Sequence, residues 1–195
     1  MKKLILSTIV MSVISITAHA QDLYKKSSVG IKGGYNLASA QFDGDSNVDQ
    51  RHGFHVGFYN EIFLKERFSV QTELLYSQQG YKIETDNGDF TQKIDYLNLP
   101  ILLKGYFTDH FYIEAGPQIG VAVSHKEEID ANFDFFDNTN EIAPNDFDWG
   151  ANIGTGFKFD SGINIGARYY FGLGKVYDEE NQKNRVLQIS LGYDF

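Results

Sequence analysis

Leu187-Gln188-Ile189-Ser190-Leu191-Gly192-Tyr193-Asp194-Phe195 is the stretch that decides the fold. Every second residue is large and apolar: Leu187, Ile189, Leu191, Tyr193 and Phe195. Between them stand Gln188, Ser190, Gly192 and Asp194. A repeat of two is the period of a β-strand, whose successive side chains point to opposite faces. One face of this strand is apolar and the other is not. The run holds its pattern as far as an aromatic, Phe195. Strand ends in water usually fray, whereas a barrel strand lying against lipid has a reason to carry an aromatic there.

The other end of the sequence is complementary. Lys2 and Lys3 form a short positive start, and Leu4 to Ile16 is an apolar run broken only by Ser7, Thr8, Ser12 and Ser15. Ala18-His19-Ala20 has the small-x-small form of a cleavage site. These features read as a secretory signal peptide over residues 1–20, with cleavage expected before Gln21. The run is too short for a membrane helix, and nothing later approaches the ~20 apolar residues a spanning helix needs. An exported barrel domain over 21–195 is expected.

Composition narrows the class. The sequence has no Cys, which leaves neither a disulfide framework nor a thiolate metal site. It holds 12 Tyr, 16 Phe and 19 Gly but only 3 Pro. Strands favour such aromatics, and turns and tight strand packing use such glycines. The net charge of −9 becomes more negative still without Lys2 and Lys3. An acidic surface argues against nucleic acid as a partner. No linker or shift in composition marks a second domain.

Eight alternating segments can be traced at about 27–38, 53–63, 68–82, 92–107, 111–123, 146–159, 163–173 and 185–195. Three connections are tight: Leu64–Arg67, Thr108–His110 and Asp160–Gly162. Four are long: 39–52, 83–91, 124–145 and 174–184. Short turns at one end and long loops at the other describe an antiparallel up-and-down transmembrane β-barrel of an outer membrane. The even strand count puts both chain ends on the short-turn, periplasmic side.

The two faces of the strands differ in kind. One carries Val29, Ile31, Phe54, Val56, Phe58, Leu103, Ile113, Ile153 and their like. The other carries Lys32, Glu61, Glu73, Lys104, Glu114, Asn152, Lys158 and Arg168, with nearly all the strand glycines. Glycine weakens a strand unless the space is needed. Inside an eight-stranded barrel there is barely room for side chains, so the glycine-bearing polar face belongs inside and the apolar face against lipid. A soluble lipocalin-like calyx would reverse the two faces. Phe68, Phe107, Phe111, Phe159, Tyr193 and Phe195 cluster towards the short-turn end. Tyr76, Tyr81, Tyr96, Phe147 and Trp149 cluster towards the long-loop end. Two such bands are expected to form the interfacial aromatic girdles.

Several stretches resemble the small porin-family outer-membrane β-barrels of Gram-negative bacteria, specifically the PorT-type domain. They are Val29-Gly30-Ile31-Lys32-Gly33-Gly34, Ser69-Val70-Gln71-Thr72-Glu73-Leu74-Leu75-Tyr76, Tyr96-Leu97-Asn98-Leu99-Pro100-Ile101-Leu102-Leu103-Lys104 and Gly116-Pro117. Leu191, Tyr193 and Phe195 lie in a closing stretch that resembles the signal read by the barrel-assembly machinery. The resemblance implies an integral outer-membrane protein and admits a PorT-like accessory role in protein secretion. It is nearly silent on activity, because fold is not function.

Two candidate sites follow from the residues. Glu61, Glu73, Lys104, Glu114 and Arg168 come from five strands at similar heights and are expected to meet in the lumen. Buried charges persist when paired and hydrogen-bonded, so a salt-bridge plug is the first reading and a selective pore lining the second. The long loops form the other candidate, since they hold most of the 26 acidic residues. The longest carries Asp130, Asp134, Phe135, Phe136 and Asp137, acidic and aromatic together, and is the expected contact for a surface partner. Its spacing is not that of an EF-hand. Ser46 and His52 share a loop with Asp45 and Asp49, but no nucleophile elbow surrounds the serine.

The expectation is therefore a monomeric outer-membrane barrel with an occluded polar interior and acidic external loops. A narrow passive channel for small solutes is the alternative. No enzyme activity, cofactor or metal is expected. Membrane lipid, the assembly machinery during insertion and a surface partner at 124–145 are the expected contacts.

Overall fold

The computed structural model describes residues 27–41, 48–85, 88–131, 147–174 and 183–195. Eight strands appear in order: β1 (Ser27–Gln41), β2 (Val48–Lys65), β3 (Phe68–Thr85), β4 (Gly88–Tyr106), β5 (Phe111–Ala131), β6 (Phe147–Lys158), β7 (Ile163–Gly172) and β8 (Lys183–Asp194). Each pairs antiparallel with its sequence neighbours, and β8 returns to β1, so the sheet closes into a barrel. The alternating C-terminal stretch is the closing strand. It pairs with β7 from Ile163↔Tyr193 to Phe171↔Arg185, and with β1 from Gly30↔Asp194 to Gln41↔Lys183. The Phe195 amide donates to the Val29 carbonyl oxygen at 2.9 Å. Closure leaves no free sheet edge, which is what a sheet in hydrocarbon requires.

The apolar parity faces outward. Phe58 is 63 % exposed and Ile153 57 %, and the other apolar residues of that set line the outer wall with them. The polar parity faces the lumen. The glycines explain how the wall can close so tightly. A Cβ on Gly57 would run into the Leu74 carbonyl oxygen, and one on Gly116 into that of Ile101. Gly33 and Gly105, on the outward parity, are different: an added Cβ would come no nearer than 3.4 Å and 3.7 Å to any neighbour. At Gly57 and Gly116 the missing side chain is thus a packing requirement, and at Gly33 and Gly105 it is not.

The strands are longer than their alternation suggested. β2 to β5 run for 18, 18, 19 and 21 residues, whereas β6 to β8 have 12, 10 and 12. A tilted strand crosses a bilayer in about 9–11 residues. The short turns align at one end, expected to be the periplasmic one, so the surplus of β2 to β5 rises at the other end. Pairing continues to Thr85↔Gly88 and to Gly88↔Ala131. The expected loop 83–91 is therefore a hairpin with two residues between paired positions, and Asp130 lies on β5 opposite Asp89 instead of in a loop. Asp134, Phe135, Phe136, Asp137 and Ser46 fall outside the described residues.

One girdle also needs correction. Phe68, Phe107, Phe111, Phe159, Tyr193 and Phe195 stand outward at the periplasmic end, as do Phe147 and Trp149 at the other. Tyr81 and Tyr96 do not; both are buried in the lumen. Height along the strand suggested a girdle, but parity decides the face. Tyr96 shares the parity of Asn98, Leu102 and Lys104 and points inward with them.

Candidate functional site

The lumen is filled by stacked layers of side chains. The lowest is aromatic: the Phe63 and Tyr106 rings lie 5.3 Å apart and the Tyr106 and Tyr112 rings 5.4 Å apart. Above them sits Glu61 of β2. Its Oε1 accepts from Ser69 Oγ at 2.6 Å and from the Tyr106 hydroxyl at 2.7 Å, and its Oε2 accepts from Lys158 Nζ at 3.1 Å. Lys158 also pairs with Asp194, which in turn accepts from the Tyr59 hydroxyl.

The middle layer joins the five charges singled out in the sequence. Arg168 of β7 reaches across the barrel to Glu73 of β3. Its Nη1 donates to Oε2 and its Nη2 to Oε1, both at 2.7 Å. Its Nε donates to Glu114 Oε1 of β5, also at 2.7 Å. Lys104 of β4 lies between Glu61 at 4.0 Å and Glu114 at 3.9 Å, and its ammonium sits 4.0 Å from the Tyr112 ring centroid. Lys32 of β1 donates to Glu73 Oε1 at 3.2 Å. Glu73 and Arg168 are 1 % and 3 % exposed, so water does little of the solvation. Four cations (Lys32, Lys104, Lys158, Arg168) face four carboxylates (Glu61, Glu73, Glu114, Asp194), and the layers balance. Buried charge is tolerated on this condition.

The next layer is neutral and centred on Asn36. Its Nδ2 donates to the carbonyl oxygens of Phe54 and Gln78 at 3.2 and 2.9 Å, and to Ser77 Oγ at 3.0 Å. Those acceptors fix which end of the amide is oxygen. Asn36 Oδ1 therefore accepts from His55 Nδ1 at 2.7 Å and from Gln188 Nε2 at 3.2 Å. His55 Nε2 is then the acceptor, and Ser190 Oγ donates to it at 2.9 Å. His55 looks isolated in the sequence, yet it ties β2 to β1 and β8. Higher still, Asp148 Oδ2 accepts from the Tyr170 hydroxyl and from Asn184 Nδ2, both at 3.0 Å, beside the buried Tyr96.

The site residues missed in sequence are Lys32, Lys158 and Asp194. The first two lie on the polar parity already singled out, and Asp194 is the last polar residue of the alternating closing strand. Their signal was present, but their partners come from strands far away in sequence. His52, on β2, bonds outward to Tyr35 and is not part of any lumen group. Among the described residues, no group of three or more His, Asp or Glu could hold a metal ion.

At the Glu73–Arg168 level the acids and bases pair with one another. A polar hollow of about 330 Å³ does open below it, at the periplasmic mouth, among Ser28, Arg67, His110, Lys158 and Asp194.

Comparison with known proteins agrees with this architecture. The structure resembles the attachment invasion locus protein Ail of Yersinia pestis, with a TM-score of 0.52 at 15 % identity, covering 87 % of this chain and 99 % of that one. It also resembles Neisserial surface protein A, with a TM-score of 0.56 at 14 % identity, covering 88 % and 100 %. At such identities the likeness is one of fold. No curated protein matches the sequence. Residues 19–178 match the family described as outer membrane protein beta-barrel domain, which is most of the sequence. The chain belongs to that family of outer-membrane barrels.

Proposed function

We propose that this outer-membrane barrel is a closed scaffold that acts at the cell surface and does not pass solutes. The observation that carries the reading is the Lys32–Glu73–Arg168–Glu114 chain, which spans the lumen between opposite walls. A conducting pore needs a wet path with sites weak enough to leave. Here aromatic, ionic and amide layers lie one above another along the axis.

The raised β2–β5 wall supports a role outside the membrane. The sequence of residues 132–146, which follows β5, brings Asp134, Phe135, Phe136 and Asp137 together, acidic and aromatic at once. Aromatic groups are the usual anchors of protein contacts. The partner this chemistry fits is a protein surface with basic residues around an apolar patch. One solved form of Ail carries the heparin analogue sucrose octasulfate; the acidic character here does not suit such a polyanion. The PorT-type resemblance extends the proposal to a scaffold in the secretion of other exported proteins.

The test is solute flux through proteoliposomes that contain folded protein, verified by heat-modifiable gel mobility. We expect no swelling in small sugars and no salt leak above empty vesicles. Replacing 132–146 with a Gly/Ser segment of equal length should leave the barrel folded and abolish surface binding. Steady solute flux would instead favour the narrow passive channel.

A further inference from the structure

The outer wall is not uniform. On the side formed by β4 to β7 it carries a groove of about 590 Å³. That is the size of a pocket for a small organic ligand. Its floor is made by small outward residues, Gly105, Ala115 and Ala167, and its walls by Leu103, Ile113 and Ile153. These residues interlock through the register: Gly105 pairs with Ile113, and Ala115 with both Leu103 and Ile153. The hollow comes from this local run of small residues among large ones.

Its position tells what can fill it. The foot is Phe68, at the start of β3 beside the short turn, and the groove climbs to Leu187 of β8. It thus crosses the half of the wall nearer the periplasm, within the span that contacts hydrocarbon. Water gains nothing in such a lining, whereas an acyl chain recovers the contacts that the small residues leave unmade. One cation stands at the foot: Lys65 is exposed and pairs directly with Phe68. Arg67 precedes Phe68 but lines the polar hollow of the mouth together with Glu66, and its Nη1 donates to the Phe107 carbonyl oxygen at 2.8 Å.

We infer that this groove holds one phospholipid of the periplasmic leaflet, with an acyl chain along Gly105, Ala115 and Ala167 and its phosphate at Lys65. An apolar slot with positive charge at the interfacial end matches a phospholipid at both of its ends. The site is distinct from the lumen and does not depend on whether the barrel conducts.

The test is native mass spectrometry of the barrel released from nanodiscs of phosphatidylethanolamine and phosphatidylglycerol. The wild-type protein should keep one phospholipid at activation energies that strip the rest. A115L/A167L fills the slot and should lower the retained fraction about tenfold, a change of roughly 1.4 kcal/mol. K65Q changes only an exposed side chain, so it tests the site even if A115L/A167L fails to fold. It should weaken retention about fivefold, as expected for one basic residue at a membrane surface. Equal retention by the wild-type protein and K65Q, or no retained lipid at all, would overturn the inference and leave only exchanging boundary lipid.

Discussion

Arg168 and Glu73 meet across the barrel axis through two parallel 2.7 Å hydrogen bonds, from strands four apart in a ring of eight. They are 95 residues apart in sequence. A planar guanidinium suits this role, because its fork matches a carboxylate while its Nε remains free for Glu114. The pair is a strut between opposite walls.

Arg168→Ala should therefore destabilise the folded barrel by about 3–5 kcal/mol, since Glu73 and Glu114 would remain buried without their main cation. Urea unfolding in lipid vesicles measures this. Trp149, the sole tryptophan, stands on the lipid face and reports insertion. An unchanged midpoint would show that the network contributes no net stability.

Removing both partners should cost less than the separate losses imply. Glu73→Gln leaves Arg168 with Glu114 alone, and Arg168→Met leaves Glu73 with Lys32 alone, whereas the double variant removes both ends of the pair. A coupling of about 0.5–3 kcal/mol is expected in the double-mutant cycle. Strict additivity would mean that the two bonds are geometrically present but energetically idle.

Glycines on the two faces of the β1–β2 pair differ in what a side chain would meet. Gly57→Ala would push a methyl into the Leu74 carbonyl and should cost about 1–3 kcal/mol. Gly33→Ala points outward, with its nearest neighbour at 3.4 Å, and should stay within about 0.5 kcal/mol. Equal effects of the two substitutions would contradict the inward assignment.

Phe58, 63 % exposed near the middle of the wall, tests the lipid face directly. Phe58→Arg should cost about 2–4 kcal/mol in a bilayer. Glu66→Arg, in the exposed turn, should cost little. A tolerated arginine at Phe58 would place that face in water.

Much of this architecture was legible because lipid and lumen impose opposite chemistries on alternate residues. Leu187–Phe195 and its sister segments show the alternation openly, and the inward glycines mark which side is crowded. The strand extensions were not legible. At Gln78–Thr85 and Gly88–Lys93 the apolar alternation of the sequence fades. Asp86-Asn87-Gly88 offered turn chemistry that could have shortened the expected loop. The charges of the plug could be assigned to the lumen from parity alone. Their pairing could not, because Glu73 meets Arg168 only once all eight strands are in register. Tyr81 and Tyr96 show the reverse error, where position along a strand was allowed to outweigh parity.

The most direct test of the closed lumen is single-channel recording in a planar bilayer, comparing folded wild-type protein with Arg168→Ala. The account predicts a silent wild type and discrete openings once the cross-barrel strut is gone. Stable, reproducible conductance from the wild-type barrel would contradict it and turn the same charges into the lining of a pore.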